Sequence, residues 1–352
     1  MQRSERSDES PPYAPLLEAA YGALRAQILC VAAELGIAER LAQNGPVTAA
    51  ELAPKLGIDA AVLERVLRGL VSMNVCDEIE GSRFRVTTLG EYLRPNHPDS
   101  VEARVLLHGK FFHRLWDNLT ETVRTGEGGG QRVLAMASPM EYLAKEPQIG
   151  ALFDRTMASE GPFRHRPAVE AYDFGQFPMV VDVGGGNGAL MAEILTAYSQ
   201  PTGIVFDLPR TAPAAEQTID AGGLRERCRF VGGDAFETVP NGGDAYVLSN
   251  FLVQWADDRA LVLLRNCRKA IAENGKVLLI EWIMPAGDEA REHFRFFDTV
   301  SRDLIMLSVL GTGGGRVRTR SQFRDLLAAA GLEMTTVVPT SGSVNVIEAR
   351  PV

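Results

Sequence analysis

The stretch Met179-Val-Val-Asp-Val-Gly-Gly-Gly-Asn-Gly-Ala-Leu190 constrains the fold more than any other part of the sequence. It reads as an apolar strand, a turn holding Gly184, Gly185, Gly186 and Gly188, and a helix running to about Tyr198. A strand that feeds a helix through a turn without side chains is the opening unit of a parallel α/β sheet. Glycine at such a turn lets the backbone come within contact distance of a ligand, which a Cβ atom would obstruct. Gly184, Gly186 and Ala189 also satisfy the looser dinucleotide fingerprint, so a nicotinamide enzyme is one reading.

Asp182 favours another. It precedes the first glycine by two residues, where a pyrophosphate would gain nothing from a nearby carboxylate but a cationic amino group would. S-Adenosylmethionine carries an ammonium at its methionine end and a sulfonium at its centre, which suits an acid at the strand tip. The segments that follow agree. Gly203-Ile-Val-Phe-Asp207 is a second strand ending in an acid 25 residues after Asp182, placed to accept hydrogen bonds from ribose hydroxyls. Arg229-Phe-Val-Gly-Gly-Asp234-Ala235-Phe236 is a third strand, offering a polar acceptor and an apolar face for adenine. Strand Asp244 to Ser249, helix Asp257 to Ala272, strand Lys276 to Glu281, a long helical insertion, helix Ser321 to Ala330 and the closing strands Glu333 to Pro339 and Val344 to Ala349 complete the pattern. Alternation of strands and helices predicts a parallel sheet, and the terminal hairpin adds an antiparallel edge.

The N-terminal half has a different character, and 352 residues are too many for one ordinary core. From Leu16 to Leu35, Leu17, Tyr21, Leu24, Ile28, Val31 and Leu35 recur at intervals of four and three, predicting one helix with an apolar seam. Alanines fill much of the remaining circumference, as in a helix buried between two chains. Thr48-Ala-Ala-Glu51 is a capping box, Gly57 a stop and Asp59 the next cap. A second helix with Val62, Leu63, Val66, Leu67 and Leu70 inward leads to a hairpin from Ile79 to Val86 turning at Gly81-Ser82. Helix, turn, helix and hairpin make a winged-helix pattern. Its two uses are DNA recognition, as in a ligand-responsive regulator, and packing between subunits. Only Arg65 and Arg68 are basic on the second helix, Glu64 accompanies them, and the net charge of the chain is -9, so the second use is favoured.

Residues 1–11 read as a disordered lead-in, residues 12–100 as the winged-helix domain, 101–170 as a helical linker that contributes to a substrate pocket, and 171–352 as the cofactor domain. No apolar run approaches the length of a membrane span, and the N-terminus lacks a signal-peptide core, which points to the cytoplasm. Cys30, Cys76, Cys228 and Cys267 lie far apart with no histidine cluster, predicting buried thiols and no metal site.

Together these segments resemble the small-molecule O-methyltransferases of the plant caffeate and bacterial antibiotic type over nearly the full chain. The resemblance rests on the winged-helix module, Val-Arg-Thr-Gly-Glu at 123–127, the glycine turn, Phe-Asp-Leu-Pro at 206–209, Gly-Asp-Ala-Phe at 233–236, the tryptophan segment at 251–258, Asp303-Leu-Ile-Met306-Leu and Gly-Gly-Arg-Val-Arg-Thr at 314–319. It implies a Rossmann-like, doubly wound α/β sheet of seven strands behind an N-terminal dimerisation domain, and a homodimer whose N-terminal domain helps to close the partner's pocket. It also implies that Asp182, Gly184, Gly185, Gly186, Asp207, Leu208, Asp234, Ala235, Phe236, Ser249 and Trp255 surround S-adenosylmethionine.

Two departures qualify the chemistry. Plant-type relatives carry His-Asp-Trp where this chain reads Val253-Gln254-Trp255, and Glu-Arg-Thr where it reads Val317-Arg318-Thr319. Both members of the acid/base pair are therefore apolar, as in the branch of the family that acts on anthracyclines and related polyketides. Expected activity is methylation of an aromatic hydroxyl by positioning, with hydroxylation, decarboxylation or a pericyclic step on the same scaffold as the alternative. Asn250, Gln254, Arg302 and Asp303 are the polar candidates for the acceptor. Phe112, Trp116, Phe153, Met157, Phe163, His293, Phe297 and Met306 are the candidates for its pocket, and Gly311-Thr-Gly-Gly-Gly315 reads as a mobile rim.

Overall fold

A computed structural model describes residues 11–135, 139–159, 161–286 and 293–352. The expected lead-in lies almost wholly outside the described residues. The chain divides into two compact units, Met1–His113 with Glu146–Ser159, and Arg114–Lys145 with Glu160–Val352. The segment 101–170 is shared out: Glu102–Leu107 and Pro147–Ala158 belong to the first unit, Leu119–Thr125 and Gly129–Leu134 to the second.

In the first unit the expected seam helix is two helices, Ala14–Ala20 and Gly22–Glu34, bent by 45° at Tyr21. Gly22 opens the second helix directly after the bend, at a place where a Cβ would meet nothing within 4 Å. Leu16, Leu17, Tyr21 and Leu24 are all exposed, Leu16 at 75%. A single chain leaves this seam in water, at roughly 1.5–3 kcal/mol for each large apolar side chain. The Thr48–Glu51 capping box forms as read, Gly57 ends the helix Ala49–Leu56 in the left-handed region, and the Asp59 carboxylate accepts from the Val62 N–H. Leu63, Leu67 and Leu70 face inward with Leu52 and Phe84. Val62, expected inside, is exposed because it occupies the first turn and faces away from that core. The strands Cys76–Ile79 and Arg83–Val86 pair about Gly81 and Ser82, both with positive φ. Two of the basic residues here are matched by acids: Arg68 pairs with Glu64 at 2.7 Å and Glu78 at 3.2 Å, and Arg85 with Asp77 at 3.0 Å. That leaves little charge for phosphates.

The second unit is built on seven strands: β1 (Met179–Val183), β2 (Thr202–Asp207), β3 (Cys228–Gly232), β4 (Ala245–Ser249), β5 (Lys276–Glu281), β6 (Leu332–Pro339) and β7 (Asn345–Pro351). Their spatial order is 3-2-1-4-5-7-6, with β7 antiparallel to both neighbours and the rest parallel. The central strands are buried on both faces, which is why Val180, Val181, Val183, Val247, Leu248 and Leu278 are continuously apolar. The strand order reverses between β1 and β4, so the carboxyl ends of β1, β2 and β4 form the crevice where ligands bind in open α/β sheets. A short parallel pair, Ile283–Met284 with Arg318–Thr319, has no periodic signature and was not expected. All four cysteines are buried free thiols. Among the described residues no single helix is long and apolar enough to cross a membrane.

Candidate functional site

After Val183 the chain turns at Gly184 and Gly186, whose φ angles are +75° and +55°. The N–H groups of Gly184 and Gly185 donate to the Phe206 carbonyl at 2.8 and 3.3 Å, tying the turn to β2. A Cβ on Gly184 would lie 2.9 Å from the Phe251 ring, whereas one on Gly186 would meet nothing within 4 Å. The first glycine is therefore required by packing, and the third presents bare backbone to open space. The helix Ala189–Ala197 begins immediately behind, its N–H groups favouring partial negative charge.

Three acids surround this turn. Asp182 is not an exposed strand tip: it lies one residue short of the end of β1, paired between Val205 and Val247 and only 2% exposed. Its carboxylate lies under the turn, with Oδ2 2.8 Å from where a Cβ of Gly185 would stand. That oxygen finds no hydrogen-bond partner among the described residues. Burial, and secondarily the neighbouring Asp207, push the carboxyl up to about 7, against the opposing pull of Arg164. Asp207 ends β2 and accepts from the N–H groups of Gly186 at 2.8 Å and Leu208 at 2.6 Å. Asp234 accepts from the Phe236 N–H at 2.8 Å. Asp207 and Asp234 are each fixed by backbone donors and keep lone pairs for hydroxyl or amine donors.

Beside Asp234 are the apolar surfaces. Leu208 is exposed, Ala235 is buried, and the Phe236 ring meets Trp255 edge-on at 4.6 Å, with the Arg259 guanidinium 3.8 Å above Phe236. At the end of β4, Ser249 Oγ, Asn250 Oδ1 and Trp255 Nε1 are buried without a partner among the described residues. Asn250 holds φ +52°, a left-handed conformation that asparagine tolerates better than most side chains. A side-chain-free turn, acids at two strand ends, an apolar ledge and orphaned buried polar atoms fit a cationic nucleoside such as S-adenosylmethionine.

The O-methyltransferase domain model matches residues 116–333, and the O-methyltransferase dimerisation domain model matches residues 17–95. The chain belongs to the O-methyltransferase family. It is 38% identical to phenazine O-methyltransferase PhzM of Lysobacter antibioticus over the full length of both. It is similar at 30% identity and a TM-score of 0.79 to the neocarzinostatin O-methyltransferase NcsB1, solved with S-adenosylmethionine and 2-hydroxy-5-methyl naphthoic acid, covering 98% of this chain and 100% of that one. It is also 33% identical to aclacinomycin 10-hydroxylase RdmB of Streptomyces purpurascens, over 90% of this chain and 83% of that one. The chain is thus an S-adenosylmethionine-dependent O-methyltransferase that forms a homodimer through its N-terminal domain, and the nicotinamide and regulator readings fall away.

In this O-methyltransferase the segment 250–257 is gripped from both sides by residues that periodicity did not reveal. Glu281, at the end of β5 and 1% exposed, accepts at Oε1 from the N–H groups of Phe251, Leu252 and Val253 at 3.0, 2.8 and 3.4 Å. Burial pushes it up to about 7 despite those donors and the Arg318 charge. Arg318, also 1% exposed, donates to the carbonyls of Leu252 at 2.9 Å and Trp255 at 2.8 Å and to Asp257 at 2.9 Å. Glu281 carried the same signal as Asp207, an apolar strand ending in an acid. Arg318 lies in Gly-Gly-Arg-Val-Arg-Thr at 314–319, where no local signal marks its role.

Val253 and Val317 are buried in one apolar cluster with Ile280, Trp282 and Met306, so the place of the acid/base pair is filled by packing. Gln254 is exposed, and its amide donates to the Asn250 carbonyl at 2.8 Å. Asp303 accepts from the Val317 N–H at 2.9 Å, which occupies one oxygen in holding the 311–317 loop. Arg302 stacks on Trp282 at 4.5 Å. In the glycine loop a Cβ on Gly315 would lie 2.0 Å from the Val253 carbonyl oxygen, so this end packs on the gripped segment, whereas a Cβ on Gly313 would meet nothing within 4 Å. Of the pocket candidates, Phe112, Phe153 and Met157 belong to the first unit, and Phe112 is buried against Phe111. Trp116, Phe163, Phe297 and Met306 belong to the second; Phe297 is largely exposed, and the His293 side chain lies outside the described residues.

Proposed function

We propose that this enzyme methylates a hydroxyl of a planar aromatic natural product, and that it does so by holding and orienting the acceptor rather than by removing its proton through a dedicated base. The observation that carries the reading is the burial of Val253 and Val317 in one apolar cluster, at the positions where plant-type relatives place histidine and glutamate. A general base typically adds about a hundred- to ten-thousand-fold, and correct placement alone supplies roughly 7–11 kcal/mol, so the loss is tolerable for an acceptor that ionises readily. S-Adenosylmethionine supplies an electrophilic methyl group on a sulfonium. The chain's own part is to fix the nucleoside at Asp207 and Asp234, to hold Asn250, Gln254 and Trp255 in a rigid loop, and to keep water out with the Val253–Met306 cluster.

One relative is a phenazine O-methyltransferase and another was solved with a naphthoic acid bound, which supports a fused aromatic acceptor. Four free, buried cysteines accord with a reducing compartment, and this reading includes a cytoplasmic setting. A second reading, oxidation or another non-methylating step, is favoured by the same missing pair together with the hydroxylase relative. Incubating the enzyme with hydroxylated phenazines and naphthoates and cofactor labelled in its methyl group separates the two. Product carrying one labelled methyl supports the proposal; a product of altered mass without label overturns it.

A further inference from the structure

Arg302 is a cation that neither the cofactor site nor the packing around it uses. It lies on the helix His293–Leu310, one turn before Met306, which packs on the apolar cluster of Val253, Val317 and Trp282. Its guanidinium carbon stands 4.5 Å from the centroid of the Trp282 ring, and Trp282 is itself buried. The arginine is partly exposed and makes no hydrogen bond or ion pair among the described residues. Contact with the indole fixes where the charge sits and leaves its N–H groups available to donate.

The acids nearby are engaged elsewhere. Asp298 stands four residues earlier, the spacing at which an acid on a helix meets a base, yet its Oδ2 accepts from the Trp282 indole N–H at 3.0 Å. Asp303 accepts from the Val317 N–H, and Glu281, next to Trp282 in the chain, accepts from the 251–253 backbone. A guanidinium held on an indole, beside an apolar cluster and without an acid, suits an anion from outside the chain. The same cluster fills the place of the missing base. Without a base, transfer gains most from an acceptor that is already ionised, and a neighbouring positive charge favours the ionised form of a hydroxyl. Apolar surroundings strengthen that attraction.

We infer that Arg302 holds an anionic oxygen of the aromatic acceptor, either the ionised hydroxyl itself or a carboxylate on the same ring system. The inference rests on the aromatic acceptor proposed above. Where the hydroxyl is the anion, its proton passes to solvent before transfer. The oxygen then bonds the methyl carbon as the carbon–sulfur bond breaks and that electron pair returns to sulfur. The resulting ether is neutral and gives Arg302 no charge to hold, which favours its release.

Spectrophotometric titration of the homodimer saturated with S-adenosylhomocysteine tests this without methyl transfer, because a naphtholate absorbs at longer wavelength than its naphthol. The probes are a naphthol, a hydroxynaphthoate and the methyl ester of that acid. If the hydroxyl is the anion, bound naphthol should be half ionised about one pH unit below the free compound; Arg302→Met should abolish that shift and Arg302→Lys should keep most of it. If a carboxylate is the anion, the hydroxynaphthoate should bind about tenfold more tightly than its ester, and Arg302→Met should bring the two affinities together. Unshifted ionisation together with equal affinity for acid and ester in the wild type overturns the inference, as does either effect surviving undiminished in Arg302→Met. Arg302→Gln, which also removes the charge, serves if the methionine variant does not fold. Failure of all three compounds to bind would instead refute the aromatic acceptor on which the inference rests.

Discussion

Replacing Arg318 with methionine removes a buried charge while keeping an apolar stem of similar length, and so isolates the grip on the 250–257 segment. In the folded chain the guanidinium satisfies the Leu252 and Trp255 carbonyls at 2.9 and 2.8 Å. Hydrogen bonds to a charged donor contribute roughly 1.5–3 kcal/mol each, and both acceptors would be left with little access to water, so the expected loss is about 3–5 kcal/mol. The third partner, Asp257, is half exposed, and that ion pair adds little after solvent screening. Glu281 simultaneously loses a compensating positive charge. The three tryptophans, Trp116, Trp255 and Trp282, all belong to the second unit, so fluorescence-detected unfolding reports on that unit. The substitution should lower its thermal midpoint by about 10 °C and weaken S-adenosylhomocysteine binding at least about tenfold. A midpoint and affinity within error of wild type would refute the idea that Arg318 holds this loop in place.

Other consequences follow from the same geometry. Because burial raises the Asp182 carboxyl to about 7, binding a cation should favour its ionised form and release a proton. S-Adenosylmethionine affinity should then rise as pH climbs from about 6 to about 8 and flatten in Asp182→Asn, as titrations in buffers of different ionisation heat would reveal. For the ligand-free chain the sign is opposite: the raised carboxyls of Asp182 and Glu281 favour folding while protonated, so the thermal midpoint should fall as pH rises through about 7. Asp207→Ala should weaken cofactor binding far more than Val253→Ala, measured by calorimetry; equal effects would mean that the ribose acid is misplaced. The double substitution Leu17→Asp with Tyr21→Asp, on the exposed N-terminal seam, should shift the sedimenting species from dimer to monomer.

The sheet was legible because its strands advertise themselves as apolar runs that end in acids or glycines, and β5 matches the expected Lys276–Glu281 span. The capping box and Asp59 were legible because caps are local chemistry. What escaped was mostly long-range. Nothing local marks Arg318 as the donor to carbonyls more than sixty residues earlier, or Arg164 as a charge that acts on Asp182 and Glu281. Asp182 was visible as an acid near the turn, yet its burial depends on pairing with β2 and β4 on both sides. The bend at Tyr21 was hidden because an unbroken apolar spacing continues through it. The packing of Gly315 was hidden because glycines that permit mobility also permit an approach to a neighbouring backbone so close that a Cβ would stand 2.0 Å from the Val253 oxygen.

The central claim is that a side-chain-free turn with acids beneath and beside it binds a cationic nucleoside and not a dinucleotide. Parallel calorimetric titration of the purified homodimer with S-adenosylhomocysteine and with NADH measures this most directly. Saturable, one-per-chain binding of the first and no heat of binding from the second is the predicted result; affinity for NADH with none for S-adenosylhomocysteine would contradict it.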